Sequence, residues 1–218
     1  MLLSRPSPEA IVAVVLVLLI ALPFHEFSHA LAAYRLGDST AKFMGRLTLN
    51  PLAHLDPIGS LLILVAGFGW AKPTPYNPYN LQGGRSGEAI VGFAGPASNL
   101  VLAAATAIPL RYIAATDVNV PSEVVLVLFY FLNINVALMI FNLVPIPPLD
   151  GSKILFAFMN PATERQYRPV LEQYGFFILI GAMLLPILPG QETLITFVFR
   201  TIADPLIRLL VGPEFVGA

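Results

Sequence analysis

The chain contains no cysteine. Disulfides and thiolate chemistry are therefore excluded, and any metal must be held by nitrogen and oxygen donors. Charge is also scarce. Asp, Glu, Lys and Arg make up 11% of 218 residues, where a soluble domain carries about a quarter. Hydrophobic residues make up 56%, and mean hydropathy is +0.77, which reads as an integral membrane protein. A net charge of -1 and the lack of any basic cluster give nucleic acid no footprint. No repeat of 20–50 residues and no low-complexity stretch is present. Histidine occurs three times, as His25, His29 and His54.

Two of those histidines share the five residues His25-Glu26-Phe27-Ser28-His29, inside an apolar segment from about Ile11 to Leu36. Ionisable side chains in a membrane helix are costly and mark function. On a helix, His25 and His29 are i and i+4 and project from one face, so they can share one metal ion. Glu26 is offset by about 100° and can reach a metal-bound water without displacing it, the position of a general base. Zinc on two histidines needs at least one more protein ligand and an open position. Read as a signal peptide, the same segment would have Arg5 in its n-region and Ala30-Leu31-Ala32 at the cleavage site. It is too long for that, and more apolar segments follow.

Further along, Lys42–Leu49 alternates polar and apolar residues and predicts a short β-strand or hairpin, stopped by Asn50-Pro51. Ile58–Trp70 is apolar but shorter than the roughly 20 residues of a span, and predicts a re-entrant segment. Trp70–Gly84 is a Pro-, Asn- and Tyr-rich loop whose aromatics place it near the lipid interface. Gly87–Leu110 and Ser122–Val144 read as spans, the first kinked or closely packed at Gly92, Gly95 and Pro96. A short helix is expected over Ser152–Met159 and a fourth span over Tyr174–Leu188. Thr193–Leu210 reads either as a fifth span with an ion-paired Arg200, Asp204, Arg208 face or as an interfacial helix. If Ile58–Trp70 does not cross, eight loop cations (Arg35, Lys42, Arg46, Lys72, Arg85, Lys153, Arg165, Arg168) face Arg5 and Arg111 on the other side. That bias puts the basic loops in the cytoplasm and the N-terminus outside. His25 and His29 then lie roughly 9–15 Å below the cytoplasmic surface at about 1.5 Å per residue.

A third ligand should be a carboxylate on rigid chain at membrane depth. Asp150 follows the proline-rich stretch Asn142–Leu149 and precedes Gly151, and unwound backbone at that depth is tolerated only inside protein or along a wet cavity. On spacing alone, Asp150 serves equally as the N-cap of the helix after it. Asp38, Asp56 and Glu88 sit in polar loops, and Asp117 and Glu123 lie at the far side. Asn142 is a candidate donor to a substrate carbonyl or oxyanion. Asn99 divides between that role and interhelical hydrogen bonding. Asn133 and Asn135 read as packing or water contacts. His54 reads as a loop-stabilising residue or as a proton donor lining the site.

At these residues the chain resembles the site-2 proteases, intramembrane zinc metalloproteases of the compact prokaryotic type. The resemblance rests on His25-Glu26-x-x-His29 and on Asn142-x-x-Pro145-x-x-Pro148-Leu149-Asp150-Gly151. Gly95-Pro96-Ala97-Ser98-Asn99, Asn50–Pro57 and Trp70-Ala71-Lys72-Pro73 add to it, and it covers about Glu9–Met159. It implies that His25, His29 and Asp150 hold one zinc ion and that Glu26 activates water for peptide hydrolysis in or near transmembrane helices. The expected substrates are single-span membrane proteins, unwound near the cut, with the Lys42–Leu49 strand receiving the opened segment. The expected fold is all-α and polytopic, with about five spans, a re-entrant segment and a small β-hairpin near the cytoplasmic face. One domain is expected over 1–218, with a catalytic core over 9–159 and C-terminal helices over 160–218. The chain is expected in the cell membrane, its partners the lipid bilayer and a homo-oligomeric or regulatory partner, since it leaves no room for a PDZ or CBS domain. The competing readings are a metal transporter, which would need a polar path that Ile11–Leu22 does not offer, and a non-catalytic relative, which would show a broken motif.

Overall fold

A computed structural model describes residues 7–66, 69–116, 118–186 and 192–212. Arg5 and Asp117 lie outside them. Helix α1 runs from Pro8 to Arg35, α2 is Thr40–Phe43, α3 is Pro51–His54 and α4 is Pro57–Ala66. Helix α5 is Arg85–Ala115, α6 is Ser122–Asn142, α7 is Gly151–Phe158, α8 is Pro161–Leu184 and α9 is Leu194–Val211.

Ser7 caps α1 by accepting the Ala10 N–H at 3.2 Å, with Pro8 at the first helical position. Pro23 cannot continue the ladder, because it lacks an N–H and its ring crowds the carbonyl four residues back. The helix widens there into a π turn over Val17–Ala21, where the Leu22 N–H reaches Val17 O. The chain stays helical, and the histidine face begins two residues after the buried Pro23.

Helices α1, α5 and α6, of 28, 31 and 21 residues, are long and apolar enough to cross a membrane. Among the described residues these three meet that measure; helix α8 opens on the charged turns of Glu164, Arg165, Arg168 and Glu172, and α9 carries Arg200, Asp204 and Arg208. Arg200 pairs with Glu192 at 2.7 Å rather than along the helix, while Ala203, Ile207 and Val211 of α9 pack into the core formed by α5 and α6. A second cluster joins Ala13, Val17 and Ala21 of α1 to Phe131 of α6. The alanines let backbones approach closely, which is how membrane helices associate.

Helix α4 has 10 residues, about 15 Å of rise, half of a bilayer core. The segments on either side of it lie close together. The Gln82 N–H donates to Leu36 O at 2.7 Å, and Ala33 packs with Leu81 and Val91, so α1 ends where α5 begins. The β-hairpin expected over Lys42–Leu49 is absent. The described residues contain only the isolated bridges Leu55–Ala71 and Pro186–Thr193. Local chemistry overrides the alternation: Asp38 Oδ1 accepts the Thr40 N–H (3.2 Å) and hydroxyl (2.6 Å) and starts α2. Gly45 then turns the chain at φ +69°, and the Arg46 N–H returns to Ala41 O at 2.8 Å.

Asp38 is fully buried. Burial alone would raise its carboxyl, but donors from Thr40, Asn80 and the Asn77 N–H outweigh it and hold the group below its ordinary value. A depressed carboxylate contributes stability that is present above its unfolded value and lost as pH falls through the folded one. Thermal unfolding in detergent is expected to show the wild type losing stability on acidification below about pH 4, with a flatter profile for Asp38→Asn. Identical profiles would refute this anchoring role.

Candidate metal centre

Helix α1 aims His25 and His29 at α5. His29 Nδ1–H donates to Val91 O at 2.6 Å. For His25, the direction follows from its neighbours. Asn135 Nδ2 donates to Phe131 O (2.9 Å), so Asn135 Oδ1 accepts from Asn99 Nδ2 (3.0 Å). Asn99 Oδ1 is thus left to accept from His25 Nδ1 at 2.7 Å. Both rings carry their proton on Nδ1, and both Nε2 atoms present a lone pair.

Those lone pairs meet. His25 Nε2 and His29 Nε2 are 3.0 Å apart, and Asp150 Oδ2 lies 3.2 Å from the first and 3.0 Å from the second. All three residues are buried. Two lone pairs and a carboxylate oxygen at this spacing repel one another unless a cation lies among them. Donors about 2.0–2.1 Å from a tetrahedral zinc ion stand roughly 3.3 Å apart, so the set fits that ion. The partners on Nδ1 match the outer hydrogen bonds that orient histidines in metal sites.

Two features of the backbone make the convergence possible. At Gly95 of α5, an added Cβ would collide with His29 Nε2 and come within 2.6 Å of His25 Nε2, so only glycine leaves this space open. At the end of α6, the turn rich in Pro145, Pro147 and Pro148 folds back, and Gly151 packs against Leu143 and Val144 carbonyls too closely for a side chain. Asp150 holds the N-cap position of α7, but its backbone is helical (φ -63°, ψ -31°) and its side chain caps nothing. Its Oδ1 accepts from Lys153 Nζ at 2.8 Å, which leaves Oδ2 to the histidines.

The other carboxylates are engaged elsewhere. Asp56 Oδ1 accepts the Ile58 and Gly59 N–H groups (3.0 and 2.8 Å) at the start of α4. Glu88 is bound by Arg168 at 2.8 Å and by the Tyr76 hydroxyl at 3.2 Å. Burial and the Glu88 charge push the Tyr76 hydroxyl well above its ordinary value, so it acts as a neutral donor. Arg168, Glu88, Tyr76, Lys153, Ser152 and Pro147 line a cavity of about 310 Å³ beside the Asp150–Lys153 pair.

The remaining candidates fall as follows. Glu26 is buried, and its Oε2 accepts the Thr74 N–H at 2.8 Å. Asn142 Nδ2 donates to Leu138 O at 2.9 Å, one turn back along α6. His54 is fully buried and donates Nε2–H to Thr48 O at 2.8 Å. Asn133 folds back on Phe129 O at 2.7 Å, whereas Asn135 completes the hydrogen-bond chain behind His25. Sequence reasoning did not single out Thr74 or Lys153. The i+3 spacing of Asp150 and Lys153 at the start of a helix was a usable signal; Thr74, in a proline-rich loop, offered none.

The model of Peptidase family M50 matches residues 109–185, which include the Asn142–Gly151 stretch. The chain is 38% identical over 205 residues to the protein named "Putative zinc metalloprotease YwhC" of Bacillus subtilis (strain 168), covering 88% of this chain and 93% of that protein. It is 35% identical over 176 residues to "Putative zinc metalloprotease Rip2" of Mycolicibacterium smegmatis, covering 78% of this chain and 66% of that protein. The Rip2 protein of Mycobacterium tuberculosis (strain H37Rv) is 32% identical over 181 residues, covering 79% of this chain and 66% of its own length. No solved structure matches significantly.

Two substitutions test the centre without a substrate. Gly95→Ala fills the space between the rings and is expected to leave the purified protein with well under one zinc per chain after dialysis. Asn99→Leu removes the acceptor that holds the His25 tautomer and is expected to weaken zinc about 10- to 100-fold in chelator competition. Wild-type zinc affinity in Gly95→Ala would refute the site.

Proposed function

Since the chain belongs to peptidase family M50, we propose that it is an intramembrane zinc metalloprotease hydrolysing peptide bonds in or near membrane-spanning helices of single-span proteins. His25, His29 and Asp150 hold the zinc ion and Glu26 is the general base. The observation that carries this reading is the convergence of two imidazole lone pairs and one carboxylate oxygen within 3.2 Å, in a helix whose remaining residues are largely apolar. Zinc bound there supplies a Lewis acid and a water of lowered pKa.

The chain's own residues do the rest. Asn99 and Val91 keep both Nδ1 protons in place, so neither ring can turn its lone pair away. Lys153 holds Asp150 through one oxygen and offsets its charge. Glu26 takes the proton of the attacking water as the oxygen–carbon bond forms, and hands it to the nitrogen as the carbon–nitrogen bond breaks. An oxyanion role for Asn142 requires its Nδ2 to release Leu138 O. His54, donating to Thr48 O while its backbone carbonyl accepts from Lys72, serves the loop beneath the site.

The protein is a multi-pass cell-membrane protein in this reading, with its N-terminus outside and the site towards the cytoplasm. The charge on the Arg35 end supports the orientation. Lys42, Arg46, Lys72, Arg85, Lys153 and Arg168 gather where α1 ends and α5 and α7 begin, as cytoplasmic loops do. A substrate helix hides its peptide bonds in its own ladder, so it must open near the cut, and helix-breaking residues there favour cleavage.

A doubly labelled single-span peptide, with an Asn-Pro pair near its cytoplasmic end, tests this in detergent. The wild type is expected to cleave it, chelator to stop cleavage and added zinc to restore it. Glu26→Gln is expected to lose about 100-fold or more in kcat while keeping zinc. Equal cleavage by Glu26→Gln and wild type would remove Glu26 from the mechanism.

A further inference from the structure

We infer that residues 72–77 form a fixed strap that orients the Glu26 carboxylate, with Thr74 as its positioning residue; this rests on the role proposed for Glu26. The strap has no helix or strand pairing of its own beyond the Leu55–Ala71 bridge at its entry. Pro73 and Pro75 fix their own backbone and hold Lys72 and Thr74 extended. They also have no N–H, so of residues 73–75 only Thr74 offers a backbone donor. That donor points at Glu26 Oε2, 2.8 Å away, and the Thr74 hydroxyl donates to the Glu26 main-chain carbonyl at 3.0 Å.

Both ends of the strap are tied to buried residues. The Lys72 N–H donates to His54 O at 2.8 Å, and the Asn77 N–H to Asp38 Oδ2 at 2.7 Å. His54 and Asp38 are each 0% exposed. Between them, Tyr76 bonds Glu88 and lies under Lys153 Nζ, 5.4 Å from its ring centre. One short segment thus touches both the base on α1 and the lysine that holds Asp150.

The chemistry of the donor suits a base. A single neutral N–H fixes one oxygen without adding charge, and among the described residues Glu26 Oε1 accepts no hydrogen bond. One oxygen is held and the other is left to exchange the proton.

The test uses the full chain, loaded with zinc, and the same doubly labelled peptide. Thr74→Pro removes the N–H and is expected to lower kcat about 100-fold, with KM within about twofold and one zinc per chain retained. Thr74→Val keeps the N–H and loses the hydroxyl, and should lower kcat about 5- to 10-fold, the size of one hydrogen bond. Thr74→Ser should recover most of that loss. Wild-type kcat in both Thr74→Pro and Thr74→Val would overturn the inference. So would a fall in kcat that only tracks lost zinc or a lowered unfolding midpoint, since that marks a structural role. If Glu26→Gln matches the wild type in the same assay, the proposed function fails instead, and the strap's role with it.

Discussion

The structure depends on keeping two imidazole lone pairs and one carboxylate oxygen about 3 Å apart inside a membrane helix bundle. Without a cation the three donors repel, and with one they attract, so the protein must hold them against repulsion until the ion is bound. It does so through the opposite side of each ring. Val91 O takes the Nδ1 proton of His29, and Asn99 takes that of His25. Asn99 is itself fixed by Asn135, which is fixed by the Phe131 carbonyl. The chain of bonds starts at the backbone of α6, crosses α5 and ends on α1. In a low-dielectric interior such a network is strong when complete and costly when broken. Much of the helix packing can be read as the means of delivering it.

That requirement explains where the backbone departs from regular helix. A bilayer core tolerates no unsatisfied peptide groups, so each irregularity needs local compensation. At Pro23 the compensation is a π turn, with Leu22 bonding back to Val17. At the end of α6 a series of short turns, from Leu143 back to Met139 and from Leu149 back to Ile146, carries the chain to Asp150. Glycine at 95 then lets α5 approach both rings. The small residues do not merely ease packing; they keep open the volume that the donors share.

The cluster of His25, His29 and Asp150, which could hold a metal ion, was legible in the sequence because its chemistry is local. His25, Glu26 and His29 have their relative geometry fixed by helical spacing, and the proline stretch before Asp150 announces a break that only a wet or buried site would permit. The ambiguity at Asp150 was real, since an aspartate before a short helix is an ordinary cap. The backbone resolves it by turning helical at that residue, which frees the carboxylate for the histidines. The alternation in Lys42–Leu49 misled for a related reason. Period two is a statement about a partner strand, and this segment has none. With Asp38 ready to bond Thr40, the cheaper local solution is a turn of helix. Asn135 and Thr74 were invisible because their roles are long-range: one lies 36 residues from its partner and the other 48.

The two carboxylates proposed for the site, Asp150 and Glu26, have contrasting surroundings. Asp150 is bracketed by a lysine on one oxygen and two histidines on the other. The Lys153 ammonium on Oδ1 offsets the carboxylate charge, while Oδ2 shares its space with two neutral imidazole nitrogens. Among the described residues Glu26 has no ion-pair partner, and its Oε2 accepts one neutral N–H. The spacing of Lys153 three residues after Asp150, and the prolines on either side of Thr74, keep those environments apart.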